Sequence, residues 1–195
     1  ALMLFLTIET IIQVALPSLH VTWLCVTLLS VLYFIYCSEM WNQLDALTGL
    51  LNQDSYLNRT AEMRRNGGVL VVFDVDDFKQ VNDRYGHVKG DICLAEIAAC
   101  IKKAYARHGY CYRMGGDEFC VLLRDGDWEH ACARDFVRRL DERRKELDFL
   151  PTVSFGSAEI SSENVVTVKD RADHNMYRYK KERKAHRMSG DAGEE

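Results

Sequence analysis

Proline is scarce in this chain, with two residues in 195, and no stretch repeats itself or is of low complexity. Those absences exclude a repeat array and leave room for one domain of about 150 residues plus an appendage. Nor is one sign of charge in excess. The 25 Lys and Arg against 29 Asp and Glu give a net charge of −4, so no general electrostatic attraction to nucleic acid is implied. The seven cysteines include no C-x-x-C pair and are odd in number, which argues against a disulfide framework. Cys25, Cys93, Cys100 and Cys120 sit in apolar runs, where the thiol acts as a small hydrophobe, and the pattern suits a reducing cytosol. No basic segment precedes the first apolar run and a second apolar run follows it, which excludes a cleaved signal peptide.

Charge is also missing from most of the first 37 residues. Ala1 to Leu16 is apolar apart from Thr7, Glu9, Thr10 and Gln13, and Pro17-Ser18-Leu19-His20 interrupts it. Residues 21–37 are uncharged and rich in Leu, Val, Tyr and Phe. A spanning helix needs about 20 apolar residues. Residues 19–37 are therefore expected to span a membrane, with Trp23 and Tyr36 as interfacial anchors and residues 1–16 as a partial helix before them. Glu9 either faces a bundle interior or lies near a cut end. The start at Ala1 reads as the C-terminal part of a longer membrane protein. Residues 38–46 form a short polar connector.

The remainder alternates strand and helix signals. Asp54-Ser55 can cap a helix to about Arg65. Val69 to Val75 is a continuous apolar run, expected as a buried central strand, and it ends in Asp74-Val75-Asp76-Asp77. A short helix is expected over 78–83, a loop over 85–91 and an amphipathic helix over 92–107. Tyr110 to Tyr112 and Phe119 to Leu123 read as two strands of a hairpin, joined at Gly115-Gly116-Asp117 because glycine accepts the positive φ of a tight turn. A charged helix over 128–147, a strand over 152–160 with Gly156 as a bulge, and a helix over 169–184 follow. Residues 187–195 are expected to be a disordered tail. The fold class is α+β: a βαββαβ core with helices on one face of a mostly antiparallel sheet.

Two acidic clusters end adjacent elements of that core, Asp74/Asp76/Asp77 after the first strand and Asp117/Glu118 at the hairpin tip. Taken alone, the hairpin acids read equally well as an ordinary solvated turn. In a βαββαβ sheet the first strand lies beside the hairpin, so Asp74 and Asp117 can meet at one edge. Hard oxygen ligands arranged in this way suit Mg²⁺, which takes its remaining ligands from water and substrate phosphates. Two such ions serve phosphoryl chemistry. Lys79, one turn past the acids, is a candidate for neutralising phosphate charge. Asn82 and Asp91 flank the Gly86 to Gly90 stretch and can read a base edge, since a carboxylate accepts from the N1–H and N2–H₂ of guanine. Each of these residues alone is as easily a cap or a turn former.

Together the motifs resemble the GGDEF diguanylate cyclases, over roughly Asp45 to Lys184. The residues that carry the resemblance are Asp45-Ala46-Leu47-Thr48-Gly49-Leu50, Phe73-Asp74-Val75-Asp76-Asp77-Phe78-Lys79, Asn82-Asp83, Gly86-His87-Val88-Lys89-Gly90-Asp91, Arg113-Met114-Gly115-Gly116-Asp117-Glu118-Phe119, Val153-Ser154-Phe155-Gly156 and Ala172-Asp173 through Lys180. The resemblance implies a nucleotidyl-cyclase-like, ferredoxin-like palm sheet over 47–186. It implies a homodimer with one GTP per subunit, in which each 3′-hydroxyl attacks the other subunit's α-phosphate to give cyclic di-GMP and two pyrophosphates. Asp74, the Val75 carbonyl, Asp117 and Glu118 match the ligands of Mg²⁺ or Mn²⁺, two per active site. Asp117 is also the candidate base for the 3′-hydroxyl. Asn82 and Asp91 match the guanine readers, Lys79, Lys180 and Lys184 the phosphate contacts, and Gly115-Gly116 the backbone laid against the phosphates. Lys184 stands where the family usually has Arg, which keeps the charge but loses the bidentate fork. Gln53 likewise stands where the family has Arg. The implied setting is a bacterial inner membrane with the catalytic domain in the cytoplasm. The alternative is a non-catalytic relay domain that binds GTP or cyclic di-GMP.

Overall fold

The computed structural model describes residues 7–8, 11, 14–15, 21–41, 43–160 and 165–190. Most of the expected partial helix over 1–16 and residues 191–195 of the expected tail lie outside the described residues. The chain divides into two units, Ala1–Asn42 and Gln43–Glu195. In the first, α1 (Val21–Trp41) is a continuous helix. Its described side chains run from Leu24 to Ser38, carry no charge and are mostly exposed, Leu32 at 60% and Phe34 at 72%. Among the described residues no helix is long and apolar enough to cross a membrane. The expected spanning helix over 19–37 is therefore not met among the described residues.

The second unit is built around β1 (Gly68–Val75), whose Val-Leu-Val-Val-Phe run is β-branched and apolar on both faces and so has to be covered on both. It lies between β3 (Glu118–Leu123) and β4 (Val153–Ile160). With β2 (Gly109–Gly115) outside β3, the sheet order is β2-β3-β1-β4, and every pairing is antiparallel. The helices of this unit are α2 (Gln53–Asn66), α3 (Phe78–Tyr85), α4 (His87–Tyr105), α5 (Glu129–Glu146) and α6 (Val165–Gly190).

Alternate residues of β1 enter different cores. Val69, Val71, Phe73 and Val75 pack with Leu94, Ile97, Ile101 and Tyr105 of α4 and Phe136 and Leu140 of α5. Phe73 sits at the middle of this layer, its ring centroid 5.2 Å from Phe136 and 5.6 Å from Tyr105. Burying one such side chain is worth about 1.5–3 kcal/mol. Leu70 and Val72 point the other way and pack with Tyr112, Cys120 and Leu122 under Tyr56 and Met63 of α2 and Val168 and Ala172 of α6. Helices therefore cover both faces of the sheet rather than one. The second layer is hard to read because α2 and α6 are largely polar and bury only a narrow stripe.

Four local expectations change. Residues 85–91 are not a loop: Gly86 turns the chain alone, with φ 82°, and α4 begins at His87. Asn52, not Asp54-Ser55, caps α2, its side chain accepting from the Ser55 N–H at 3.0 Å. Gly156 is not a bulge, since its register with Val72 is regular. A Cβ there would lie 2.2 Å from the Met176 nitrogen and 2.5 Å from the Ala172 carbonyl, so the glycine lets α6 approach the strand. The irregularity lies in the hairpin instead, between Arg113 and Gly115. α6 also continues to Gly190, through residues 187–190 of the expected tail.

Candidate active site

The end of β1 sets the acids. Asp74 is the cross-strand partner of Glu118 on β3 and of Ser154 on β4. Directly opposed residues have Cβ atoms about 4.5–5.5 Å apart. Asp74 also follows the two-residue alternation of Leu70 and Val72, which places it on the sheet face covered by α2 and α6. Asp117 comes one residue earlier, at the turn, where its carbonyl accepts from the Val75 N–H at 3.4 Å. Asp74, Asp117 and Glu118 thus reach one end of the β1/β3 pair, with Glu118 rather than Asp117 directly opposite Asp74. The turn itself depends on Gly115 at φ 140° and Gly116 at φ 52°.

Asp76 has a different surrounding. Thr152 Oγ1 and Ser154 Oγ each donate to its carboxylate at 2.7 Å, and its N–H donates to the Thr152 carbonyl at 2.9 Å. The expected phosphate contact Lys180 reaches into the same place from α6. Its ammonium lies 2.6 Å from Asp74 Oδ2 and 3.3 Å from Asp76 Oδ1. Burial disfavours that ammonium, but the hydrogen bond from Lys180 to Asp74 and the charges of Asp74 and Asp76 outweigh it and raise its pKa. The side chain of Lys184 lies outside the described residues.

Asn82 of α3 lies against Gly90 of α4, the residue before Asp91. A Cβ on Gly90 would fall 2.0 Å from Asn82 Oδ1 and 3.3 Å from Phe78 Cζ, so the Asn82 amide lies against α4 beside Asp91 only because residue 90 is glycine. Asp91 and Lys79 are exposed and Asn82 is half-buried. Asp77 takes the left-handed conformation at φ 53°, the one non-glycine residue among those described to do so, and it lets the chain turn from β1 into α3 within two residues. Asp is among the residues that tolerate this region best.

Sequence reasoning missed the residues that fasten the site from outside. Arg113 holds the Asp45 carboxylate and the Gly116 carbonyl together. Thr152, just before β4, and Ser154 within it are buried polar residues, 7% and 1% exposed, and their two-residue spacing was the available signal. Asp173 is half-buried on α6 beside a small cavity of about 30 Å³ that Asp74 and Glu118 also line. Burial holds its carboxyl above the usual carboxylate range, Lys169 opposing and Asp170 and Asp74 adding to the effect. Cys93 and Cys111 are pushed up by burial to about 11 and about 12, which keeps both thiols neutral and inert. Among the described residues no three of His, Cys, Asp and Glu cluster so as to hold a metal ion by themselves.

Comparison with known proteins places the chain in a family. Residues 42–186 match the family model described as "Diguanylate cyclase, GGDEF domain". Diguanylate cyclase DgcS of Shewanella oneidensis is 34% identical over 152 residues, 73% of this chain and 51% of that protein. The probable diguanylate cyclase DgcJ of Escherichia coli is 28% identical over 142 residues, 68% of this chain and 28% of that protein. This chain thus spans about half or less of the length of these two relatives. The solved structure of the coiled coil and GGDEF domain of DgcB from Caulobacter crescentus, in complex with c-di-GMP, is similar at a TM-score of 0.70 and 26% identity. The match covers 82% of this chain and 93% of that one.

Proposed function

Since this chain belongs to the GGDEF domain family of diguanylate cyclases, we propose that it condenses two GTP molecules into cyclic di-GMP and two pyrophosphates as a homodimer. One GTP binds each subunit. Each 3′-oxygen forms a bond to the α-phosphorus of the other nucleotide, the bond from that phosphorus to pyrophosphate breaks, and the hydroxyl proton passes to Asp117. The observation that carries this reading is the register that sets Asp74 opposite Glu118, with Asp117 beside them at the glycine turn.

The residues fit a hard divalent cation. Mg²⁺ is bound by one or two carboxylates plus substrate phosphates rather than by an all-protein cage, and the donors here are all oxygen. Asp74, Asp117, Glu118 and the Val75 carbonyl would hold Mg²⁺ or Mn²⁺, two per site. The ions would supply neutralisation of the charge on the phosphates during transfer. The side chains do the rest. Lys79, Lys180 and Lys184 contact phosphate, the bare backbone of Gly115 and Gly116 lies against it, and Asn82 and Asp91 select guanine through its donor pair. The three carboxylates Asp74, Asp117 and Glu118 favour an enzyme over a non-catalytic relay domain, which would not need them all.

We further propose that α1 is part of a tether to the bacterial inner membrane, with the cyclase domain in the cytoplasm. A helix uncharged over residues 21–38, with exposed Leu24, Leu32, Phe34 and Tyr36, supports this, because an apolar surface of that extent requires a cover. The test of the activity is to incubate the purified whole chain with GTP and Mg²⁺ and identify the product by mass. A product with the mass of cyclic di-GMP supports the reading, and bound GTP with no product would leave the relay domain in its place.

A further inference from the structure

Lys180 lies on a carboxylate that the proposed reaction needs for a metal ion. Its ammonium is 2.6 Å from Asp74 Oδ2, and the pair is only about one quarter exposed on either side. Its second partner, Asp76 Oδ1, is 3.3 Å away. The two acids are not equivalent. Asp76 is 12% exposed, and its side chain is fixed by two hydroxyl donors, Ser154 on Oδ1 and Thr152 on Oδ2. Fixed in this way, it is poorly placed to turn toward a new ligand. Asp74 receives the single short contact from Lys180 and faces Glu118 across the strand pair, a second carboxylate. Without a cation, two like charges so placed would repel one another.

We propose that Lys180, perched on Asp76, serves as the resident counter-ion of Asp74 and exchanges partners on binding. When a divalent ion takes Asp74, the ammonium gives up that carboxylate, keeps Asp76, and turns to the phosphate that arrives with the ion. Asp76 is then a positioning residue: it holds the lysine within reach of both partners and binds neither metal nor nucleotide. This proposal rests on the reading of Asp74 as a metal ligand. It predicts that protein alone binds divalent ions weakly, since the ion must displace a bound ammonium.

The test is calorimetric titration of the whole chain with Mn²⁺ in the absence of nucleotide, in the wild type, Lys180→Met and Asp74→Asn. Removing the competing ammonium should tighten Mn²⁺ binding in Lys180→Met by about tenfold or more, given the strength of charge interactions at partly buried sites. Asp74→Asn should abolish that binding. Unchanged or weaker Mn²⁺ affinity in a Lys180→Met variant that keeps its circular dichroism spectrum would overturn the exchange. Persistence of wild-type Mn²⁺ binding in Asp74→Asn would instead overturn the metal-ligand reading on which the exchange rests. Asp76→Asn supplies the second measurement. It should leave Mn²⁺ binding intact while weakening the affinity for GTP, because the lysine loses its perch. Equal loss of both, or of neither, would remove Asp76 from a positioning role.

Discussion

Arg113 Nη1 lies 3.1 and 3.3 Å from the two oxygens of Asp45, while Nη2 and Nε of the same guanidinium donate to the Gly116 carbonyl at 2.7 and 3.1 Å. One planar fork therefore ties the turn that opens the domain to the tip of the hairpin that carries Asp117 and Glu118. Asp45 Oδ1 is used twice more, by the Thr48 N–H at 2.9 Å and the Thr48 hydroxyl at 2.6 Å. Leu51 then runs beside β2, its N–H donating to the Cys111 carbonyl at 3.0 Å.

Those contacts predict an acid-sensitive clasp. Burial tends to raise the Asp45 carboxyl, but the hydrogen bonds from Thr48 and Arg113 outweigh it and hold the group below the usual carboxylate range. A depressed pKa contributes stability above the unfolded value, about 3.9, and loses it as pH falls through the folded value. The stability difference between wild type and Asp45→Asn should accordingly be greatest near neutrality and shrink below about pH 4. Melting temperatures of the two proteins from pH 7 to pH 3 measure it. A difference that stays constant over that range contradicts the role given to the charge.

Catalysis should depend on Asp117 without the fold doing so. Its side chain is half-buried at the turn, and its bond to Val75 is made by the backbone. Asp117→Ala should lower turnover by at least about 10²–10⁴, the usual worth of a general base, with the melting temperature nearly unchanged. Cyclic di-GMP formation at near the wild-type rate by a folded variant would show that the proton goes elsewhere.

Base selection can be probed from two sides. Asp91→Ser removes the acceptor for the guanine donors and should weaken preference for GTP over ATP, since sites built on a specific hydrogen bond reject ligands that lack it. Gly90→Ala does so indirectly. The new methyl group would meet Asn82 Oδ1 at 2.0 Å, and a side-chain end can swing aside, so the helix pair survives while the amide is moved. GTP affinity should fall in both variants with little change in melting temperature. Equal competition by ATP and GTP in wild type and variants alike would refute the assignment.

The central place of β1 and its position beside the hairpin, which brings Asp74 to the end that carries the hairpin acids, were legible because they follow from runs and turns. Val69 to Val75 is too apolar to be an edge strand, and Gly115-Gly116 admits only a turn. What stayed hidden depends on pairs far apart in the chain. Lys180 on Asp74, Thr152 on Asp76 and Arg113 on Asp45 leave no periodic trace. The start of α4 at His87 was obscured because Gly86 and Gly90 together look like loop, whereas one supplies a positive φ and the other clearance for Asn82. Coverage of the second sheet face was obscured because α6 buries few side chains, Val168 and Ala172 among them, within a charged helix.

The last of these hidden contacts yields the sharpest stability prediction. Gly156 faces α6 so closely that a Cβ would lie 2.2 Å from the Met176 nitrogen, 2.7 Å from its Cα and 2.5 Å from the Ala172 carbonyl. All three are backbone atoms of a helix, so nothing can rotate aside as Asn82 can beside Gly90. Gly156→Ala must push α6 away from β4, opening the layer that holds Val168 and Ala172 and displacing Lys180 further along the same helix. Such overpacking costs about 1–3 kcal/mol, which at roughly 2–4 °C per kcal/mol for a chain of this size is a fall of several degrees in melting temperature. Activity should fall further than stability alone explains, because Lys180 leaves its place beside Asp74 and Asp76. Thermal melts and initial rates well below the transition separate the two effects. An unchanged melting temperature would mean that α6 does not press on the strand, and a normal rate despite a lowered melting temperature would detach Lys180 from the reaction.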